Sequence, residues 1–304
     1  MLRIGIDLGG SKTEIIAMND AGRVLLRRRE ATQRGDYHAS LAQIAALVCA
    51  AESELGAPAT VGVGTPGAVS KLTGRMKNAN SVWLNDQPLQ ADLERALGRP
   101  VRLANDANCF ALSEAIDGAG RDARVVFGVI LGTGVGAGVV VDGRPLDGPN
   151  SIAGEWGHNP LPLPLAADLP LPACYCGRAG CIERYLSGPA WSDDYERHEG
   201  LRLTPSEIAA RAASGVCQAA AASLDRYLDR LARALGGVIN ILDPDVIVLG
   251  GGVSNIECLY ERLPARWGDH VFSDSVLTRL AAPMHGDSSG VRGAAWLWNG
   301  AEGV

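Results

Sequence analysis

The sequence lacks the features that would place the protein in a membrane or on nucleic acid. No apolar run approaches the length needed to cross a bilayer, and even residues 125–131 fall short. There is no block of basic residues, and the net charge of −6 argues against nucleic acid as the main partner. No apolar signal core forms before the first acidic residue, Asp7. The expectation is a cytoplasmic protein.

Two common signatures of nucleotide binding are also missing. No G-x-x-x-x-G-K-[S/T] string occurs, so a P-loop is excluded. The strings at 62–67 and 132–137 match the letters of the dinucleotide fingerprint. That fingerprint requires a helix whose N-terminus contacts pyrophosphate. The first string contains Thr65 and Pro66, which are a poor start for a helix, and the second string continues as a strand. Both matches are therefore rejected.

What the chain does have is a plan that occurs twice. A strand over residues 2–8, a glycine turn and a second strand are followed at 125–141 by the same succession of strand, glycine turn and strand. We infer an internal duplication. Apolar spacing predicts helices at 37–55 and at 205–242, the latter as one helix or as two pieces. Further strands are predicted at 60–63, 101–103 and 246–249. Mixed strands covered by helices indicate an α/β fold, in which the cleft between the halves is the natural binding site.

Three of the seven cysteines lie in a C-x-C-x4-C string, and a histidine precedes them across a loop with five prolines. The set is His158, Cys174, Cys176 and Cys181. Four soft or borderline ligands are typical of a structural Zn²⁺ site, although a disulfide or unrelated buried thiols are the alternatives. A closed site cannot activate water, so its expected role is to fix the flanking carboxylates Glu155 and Glu183.

Another carboxylate, Asp106, follows a predicted strand and begins a predicted helix. The N–H groups and macrodipole of a helix start favour an ionised carboxylate there, which suits a general base. The simpler alternative is that Asp106 only caps the helix. The two glycine turns have a similar pair of interpretations. They are ordinary hairpin turns, or their N–H groups face each other and bind polyphosphate.

Together these strings resemble the ROK family of sugar kinases and repressors. The resemblance rests on Asp7-Leu8-Gly9-Gly10-Ser11-Lys12-Thr13, Leu131-Gly132-Thr133-Gly134-Val135-Gly136, Gly154-Glu155-Trp156-Gly157-His158 and the cysteine string up to Glu183. It implies the duplicated actin/Hsp70-like (ribonuclease H-like) ATPase fold with two domains around a cleft. We expect a small domain at 1–117 completed by a C-terminal helix at about 289–304, and a large domain at 118–288 that carries the zinc loop.

The resemblance also implies roles for individual residues. Asp106 is the expected catalytic base, and Asp7 is expected to hold Mg²⁺ through water. The expected sugar ligands are Asn80, Asn105, Asp106, Glu155, His158 and Glu183, with Asn80 equally explained as a turn residue. One ring nitrogen of His158 would bind zinc and the other would face a sugar hydroxyl. The expected ATP contacts are Gly9, Gly10, Ser11, Lys12, Thr13, Gly132, Thr133, Gly134, Gly136, Gly250, Gly251 and Gly252, the last three near adenine.

The expected function is an ATP-dependent hexose kinase. Longer strings, such as those at 78–85 and 157–162, resemble bacterial fructokinases and favour fructose as substrate and fructose 6-phosphate as product. Glucose, mannose and N-acetylglucosamine are the alternatives. A sugar-responsive repressor is disfavoured because no helix-turn-helix precedes the first strand, and a catalytically dead sugar-binding module because Asp106 and both glycine turns are present. Family members are often dimers, so a homodimer is expected.

Overall fold

The computed structural model describes residues 1–300. Contacts group the chain into two compact units. Unit 1 contains Met1–Asp122, Gly138–Ala153 and the C-terminal segment from Asp287, and unit 2 contains Ala123–Ala137 and Gly154–Gly286. The predicted domain boundaries stay a prediction, and residues 301–304 of the predicted C-terminal helix lie outside the described residues.

Strands and helices alternate along much of the chain. In chain order they are β1 (Leu2–Leu8), β2 (Lys12–Met18), β3 (Val24–Ala31), α1 (Tyr37–Leu55), β4 (Ala59–Thr65), β5 (Ala68–Val69), β6 (Met76–Lys77), α2 (Leu89–Leu97), β7 (Val101–Asn105), α3 (Asp106–Ile116), β8 (Val125–Leu131), β9 (Val135–Val141), β10 (Arg144–Pro145), α4 (Glu183–Leu186), α5 (Gly188–Glu199), α6 (Pro205–Ala213), α7 (Gln218–Leu242), β11 (Val246–Gly250), α8 (Cys258–Arg262), α9 (Pro264–Trp267), β12 (Arg279–Ala281) and α10 (Ser289–Trp296).

The sheet of unit 1 has the strand order β3-β2-β1-β4-β7. β1, β2 and β3 form an antiparallel meander, whereas β4 and β7 are parallel to β1. Residues Ile4, Ile6 and Leu8 of β1 join α1 in the hydrophobic core. The mixed pairing that the sequence predicts is therefore confirmed. The β1–β2 turn and the end of β7 both lie within unit 1.

Helix α10 packs on unit 1 through glycines that leave room for its backbone. Gly5 and Gly62 are paired in neighbouring strands, and a Cβ atom on either would lie 2.1 or 1.9 Å from a carbonyl oxygen of α10. Gly293 plays the reciprocal part, since its Cβ would lie 1.6 Å from the carbonyl oxygen of Cys109 in α3. Real side chains do not approach backbone this closely. Gly62 therefore has a packing role, which agrees with the rejection of the fingerprint at 62–67.

The second sheet has the order β10-β9-β8-β11-β12 and follows the plan of the first. β11 lies parallel to both β8 and β12, as β4 lies parallel to β1 and β7. The repeated order of a meander followed by two crossover strands agrees with the inferred duplication. β9 continues directly from the turn after β8, so the string at 132–137 does not open a helix.

Unit 2 contains α7, the 25-residue helix that the spacing of its leucines predicts. Leu224, Leu228, Leu231 and Leu235 recur every three or four residues and are all buried. The predicted helical stretch at 205–242 consists of two pieces, α6 and α7. In the N-terminal half of α7, Tyr227 stacks on Trp191 with ring centroids 4.0 Å apart. Among residues 1–300, no helix has both the length and the apolar character that a membrane crossing requires.

Replacing Gly293 by alanine tests the close packing of α3 and α10. We expect Gly293→Ala to lower the free energy of unfolding by about 3 kcal/mol or more, because the backbone of α3 has to move away from the new methyl group. Gly268→Ala is the control. Gly268 has helical backbone angles and no atom within 4 Å of the position that a Cβ would take, so its replacement should change stability by about 1 kcal/mol at most. Equal urea midpoints for both variants would contradict this account.

Candidate functional site

The first glycine turn joins β1 to β2 in unit 1. The Gly9 N–H donates to the Lys12 carbonyl at 3.0 Å, and the Thr32 hydroxyl donates to the Gly9 carbonyl at 2.8 Å. Ser11 and Lys12 are exposed, as residues that contact a ligand need to be. The Thr13 side chain is instead buried, with its hydroxyl 2.9 Å from that of Thr32. The Thr13 hydroxyl therefore holds the turn in shape, and its predicted phosphate contact stays a prediction.

Asp7 is the second-to-last residue of β1, close to this turn, and lies opposite Glu14 of β2 in the strand register. The pKa of Asp7 is raised to about 6, chiefly by burial and then by the nearby carboxylates of Asp106 and Glu14, against the lowering effect of Lys12 and Arg29. Glu14 itself accepts hydrogen bonds from Arg27 at 2.7 Å and from Arg29 at 2.8 Å. Asp7 is thus a buried carboxyl with two other carboxylates nearby, and a divalent cation would offset their negative charge.

Asp106 is the first residue of α3 and is exposed, whereas nine of the eleven helix residues are buried. The sequence offered Asp106 as the possible cap of this helix, and that alternative is wrong. The N-cap is Asn105, whose side-chain oxygen accepts the Ala107 N–H at 2.9 Å and whose amide donates to the Gly67 carbonyl at 3.1 Å. The Ala107 N–H also lies 2.7 Å from Oδ1 of Asp106. Asn105 therefore anchors the helix start, and the carboxylate of Asp106 projects from its first turn.

Asn80 is exposed in a loop of unit 1 that follows Asn78, a residue with a positive φ of 59°. The residue before Asn80 is clamped by Asn85, whose amide oxygen accepts the Ala79 N–H at 2.8 Å and whose amide nitrogen donates to the Ala79 carbonyl at 2.9 Å. Asn85 was not among the predicted site residues. The string at 78–85 contained it, but a hydrogen bond across six residues cannot be read from the string alone. Sugar binding by Asn80 stays a prediction.

In unit 2 the predicted metal ligands converge. One side-chain donor atom from each of His158, Cys174, Cys176 and Cys181 lies within 4.8 Å of all the others. Nδ1 of His158 is 3.6 Å from Sγ of Cys174, and the sulfur atoms of Cys176 and Cys181 are also 3.6 Å apart. A zinc tetrahedron with bonds of about 2.3 Å has edges of about 3.8 Å. The donor set and its spacing therefore fit Zn²⁺, and the seven cysteines are all free thiols.

The thiols of this cluster differ in their electrostatic surroundings. The hydrogen bond with the Arg178 backbone lowers the pKa of Cys176 to about 6, whereas burial raises the pKa of Cys181 to about 12. A cation that binds thiolates has to displace the proton from the buried thiol. Metal affinity at this cluster would therefore increase with pH.

Glu183 begins α4 directly after the cysteine string and reaches the second glycine turn, within unit 2. Its carboxylate accepts the Val135 N–H at 2.9 Å. A Cβ atom on Gly134 would lie 2.7 Å from the same carboxylate oxygen, so only glycine admits Glu183 at this distance. The Gly132 carbonyl accepts the N–H of Gly188, the first residue of α5, at 2.8 Å. The turn predicted for phosphate, which also includes Thr133 and Gly136, is thus linked to a predicted sugar ligand.

His158 and Glu155 lie on a short 3₁₀ helix, Trp156–His158, with the exposed Glu155 at its N-cap. The other ring nitrogen of His158, Nε2, is 3.0 Å from the hydroxyl of Tyr175, and the two rings meet edge to face at 5.1 Å. The sequence predicted a sugar hydroxyl at this nitrogen. Tyr175 was missed, because its place between two cysteines suggests only a variable residue within the metal-binding turn.

The proline-rich loop at 159–173 is held by a buried ionic cluster. Asp168 accepts hydrogen bonds from Arg230 at 2.7 Å and from Arg233 at 2.8 Å, and all three side chains are buried. Its carbonyl accepts the hydroxyl of Tyr185, a residue of α4, at 2.9 Å. The Asn159 carbonyl accepts the N–H of Ile182 at 2.9 Å. The loop is therefore tied both to α7 and to the element that carries Glu183.

The glycines after β11 were predicted to approach adenine. Gly251 has a φ of 81°, and its Cβ would lie 2.5 Å from the Leu131 carbonyl oxygen, so its own fold requires glycine. Gly252 has open space where a Cβ would be, and Gly250 is the buried end of β11. The packing of unit 2 explains Gly251, and the adenine contact of the triplet stays a prediction.

Comparison with known proteins identifies the family. The model of the ROK family matches residues 3–301. The N-acetyl-D-glucosamine kinase of Pectobacterium atrosepticum is 41% identical to this chain over 297 residues, which is 96% of this chain and 97% of that protein. The solved ROK hexokinase of Thermus thermophilus matches with a TM-score of 0.85 at 30% identity over 98% of this chain and 97% of that one.

A ROK family glucokinase of Streptomyces griseus, solved in complex with glucose and AMPPNP, matches with a TM-score of 0.74 at 25% identity, covering 98% of this chain and 99% of that one. The predicted fold class is thereby confirmed, and both sheets belong to the actin/Hsp70-like ATPase fold. The chain belongs to the ROK family and is an ATP-dependent sugar kinase.

Proposed function

We propose that this sugar kinase transfers the γ-phosphoryl group of ATP to the 6-hydroxyl of N-acetyl-D-glucosamine. The observation that carries the choice of sugar is the match to an N-acetyl-D-glucosamine kinase at 41% identity over 96% of the chain. The prediction of fructose finds no such support, because the relatives that match at 41% identity are N-acetyl-D-glucosamine kinases. N-acetylglucosamine was one of the alternatives.

Asp106 is the proposed general base. It is exposed at the first residue of α3, and its position at a helix N-terminus stabilises the ionised carboxylate that a base requires. It accepts the proton of the 6-hydroxyl while that oxygen bonds to the γ-phosphorus and the bond from the γ-phosphorus to the bridging oxygen breaks. ADP leaves, and the sugar carries the phosphoryl group.

The remaining roles are divided between the two units. In unit 1, Asn80 and Asn105 are proposed to contact the sugar, and the turn with exposed Ser11 and Lys12 is proposed to contact phosphate. In unit 2, the glycine turn at 132–136 and the glycines at 250–252 are proposed for ATP. Glu155, His158 and Glu183 are proposed to bind sugar hydroxyls, since carboxylates and an imidazole N–H pair with donors and acceptors on a hexose.

Two cations are part of the proposal. The four ligand atoms of the cysteine–histidine cluster would hold a structural Zn²⁺, which gives rigidity to the segment bearing His158 and Glu183. Asp7 would hold Mg²⁺ through water, and the carboxylates that raise its pKa are the support for a cation there. When bound, Mg²⁺ supplies charge neutralisation for the transferred phosphoryl group. The homodimer stays a prediction.

The first test is an ADP-release assay with N-acetylglucosamine, glucose, mannose and fructose. We expect the highest kcat/KM with N-acetylglucosamine, and a higher value with fructose would overturn the choice of sugar.

We expect Asp106→Asn to lower kcat by roughly 10²- to 10⁴-fold, the range of general-base catalysis. Asp122→Asn, at an exposed aspartate of the same unit, is the control and should retain full activity. Absence of turnover with every sugar would favour a repressor or an inactive sugar-binding protein.

A second test concerns the metal. Cys176→Ser should lower the zinc content from one ion per chain, reduce thermal stability and raise the KM for the sugar, since the metal holds His158 and the segment leading to Glu183. Zinc is measured by mass spectrometry of the purified protein. Cys49→Ser changes an exposed cysteine outside the cluster and should leave all three quantities unchanged. A zinc-free wild-type protein with normal sugar affinity would rule out the structural metal.

The raised pKa of Asp7 makes a third test. In the native state this carboxyl binds its proton more tightly than in the unfolded chain, where its pKa is 3.8. Wild-type stability from this group is therefore present below pH 3.8 and lost as the pH rises through about 6. Asp7→Asn removes the ionised group, so it should stabilise the protein at pH 8 and much less at pH 4.5 without added Mg²⁺. The measurement is the free energy of unfolding from denaturation curves at both pH values, with Asp122→Asn as control. An increase for Asp7→Asn that is the same at both pH values would refute the raised pKa.

A further inference from the structure

Tyr175 makes a contact that the proposed reaction does not use. Its hydroxyl lies 3.0 Å from Nε2 of His158, and its ring meets the imidazole edge to face at an interplanar angle of 87°. The residue stands between Cys174 and Cys176, in a turn closed by a hydrogen bond from the Gly177 N–H to the Cys174 carbonyl at 3.0 Å. The backbone of Tyr175 is therefore held by the metal-binding turn.

His158 has one N–H to donate outside the metal site, so that N–H can bond either to Tyr175 or to a sugar hydroxyl. Nδ1 faces the cysteine sulfurs, 3.6 Å from Sγ of Cys174, and is the nitrogen that belongs to the metal ligand set. An imidazole that ligates through Nδ1 carries its single N–H on Nε2. In that tautomer the N–H is directed at the Tyr175 hydroxyl, which lies 3.0 Å away. A sugar hydroxyl that accepts the same N–H has to displace the phenol.

Tyr175 is also free to move away. Its side chain is 81% exposed, although the two cysteines beside it are buried or half-buried. Because the ring is exposed, rotation away from His158 breaks little more than one hydrogen bond and the edge-to-face contact with the imidazole. A sugar that also reaches Glu183 and Glu155 gains several hydrogen bonds in exchange for that one. A ligand with a single hydroxyl gains no such advantage.

From this geometry we propose that Tyr175 is an affinity-determining residue that competes with the sugar for the N–H of His158. The inference rests on the proposed sugar-binding role of His158. Because Tyr175 has to be displaced first, a ligand binds only if it forms several hydrogen bonds at once. Removal of the phenolic hydroxyl removes the competitor and leaves the ring, the turn and the four metal ligands in place.

The decisive experiment compares Tyr175→Phe with wild type in binding and in turnover, with N-acetylglucosamine as the probe. We expect the Kd without ATP, by calorimetry, and the KM for the sugar both to fall by about two- to tenfold, the range for one hydrogen bond. The kcat, the KM for ATP and the zinc content should stay within twofold. Tyr195→Phe is the matched control, since this tyrosine of the same unit has its hydroxyl 4.0 Å from Cys217 and no contact with His158 among the described residues.

A spectroscopic readout separates competition from a structural effect. In protein labelled with ¹³C at the tyrosine ring, saturating sugar without ATP should shift the resonance of Tyr175 and leave that of Tyr195 unchanged. An unchanged or raised Kd in Tyr175→Phe, or a Tyr175 resonance that sugar does not move, would overturn the inference in an otherwise active enzyme. Failure of the proposed function looks different, because the wild-type enzyme itself would then not bind or phosphorylate N-acetylglucosamine.

Discussion

Unit 2 is organised by the convergence of three thiols and one imidazole within 4.8 Å. These predicted metal ligands come from the two ends of a proline-rich loop, so whatever holds them together also holds His158 and the start of α4 in one place. The loop has a second attachment, the buried pair of arginines on Asp168, which leaves it little freedom of its own. Because buried ionic groups are costly unless fully paired, such a cluster favours one arrangement of the loop over all others.

The same region shows why a glycine-rich turn in this fold need not serve only phosphate. Gly134 admits the Glu183 carboxylate, and Val135 donates its N–H to it. A change at the turn is therefore transmitted to a proposed sugar ligand through a single hydrogen bond within unit 2. In unit 1, the first turn is held by two threonine hydroxyls. Burial and two neighbouring carboxylates raise the pKa of Asp7, which lies beside this turn. Both turns combine local rigidity with a carboxylate close by.

Much of this could be predicted from the sequence. The strands around both glycine turns and helix α1 follow from apolar spacing and from glycine and proline positions, and the structure has them within a few residues. The sequence predicts helix at 205–242 but leaves open whether it is one helix or two, and the structure shows two. The four predicted metal ligands lie together in the structure, and they could be picked out because their residue types are rare and closely spaced. The choice of sugar could not be read from the sequence in this way, because sugar preference depends on pocket shape, and shape depends on side chains that are far apart in the chain.

The sequence by itself determined the family, the hairpins and helices, and the four candidate metal ligands, because each is encoded in short-range patterns or in rare residue types. Only the structure decided that Asn105 rather than Asp106 caps α3, since Asn105 has an extended backbone and Asp106 is already the first helical residue. It also decided that Glu183 meets Val135, 48 residues away, and that Tyr175 meets His158. Such contacts depend on how distant segments pack, and no local pattern records them.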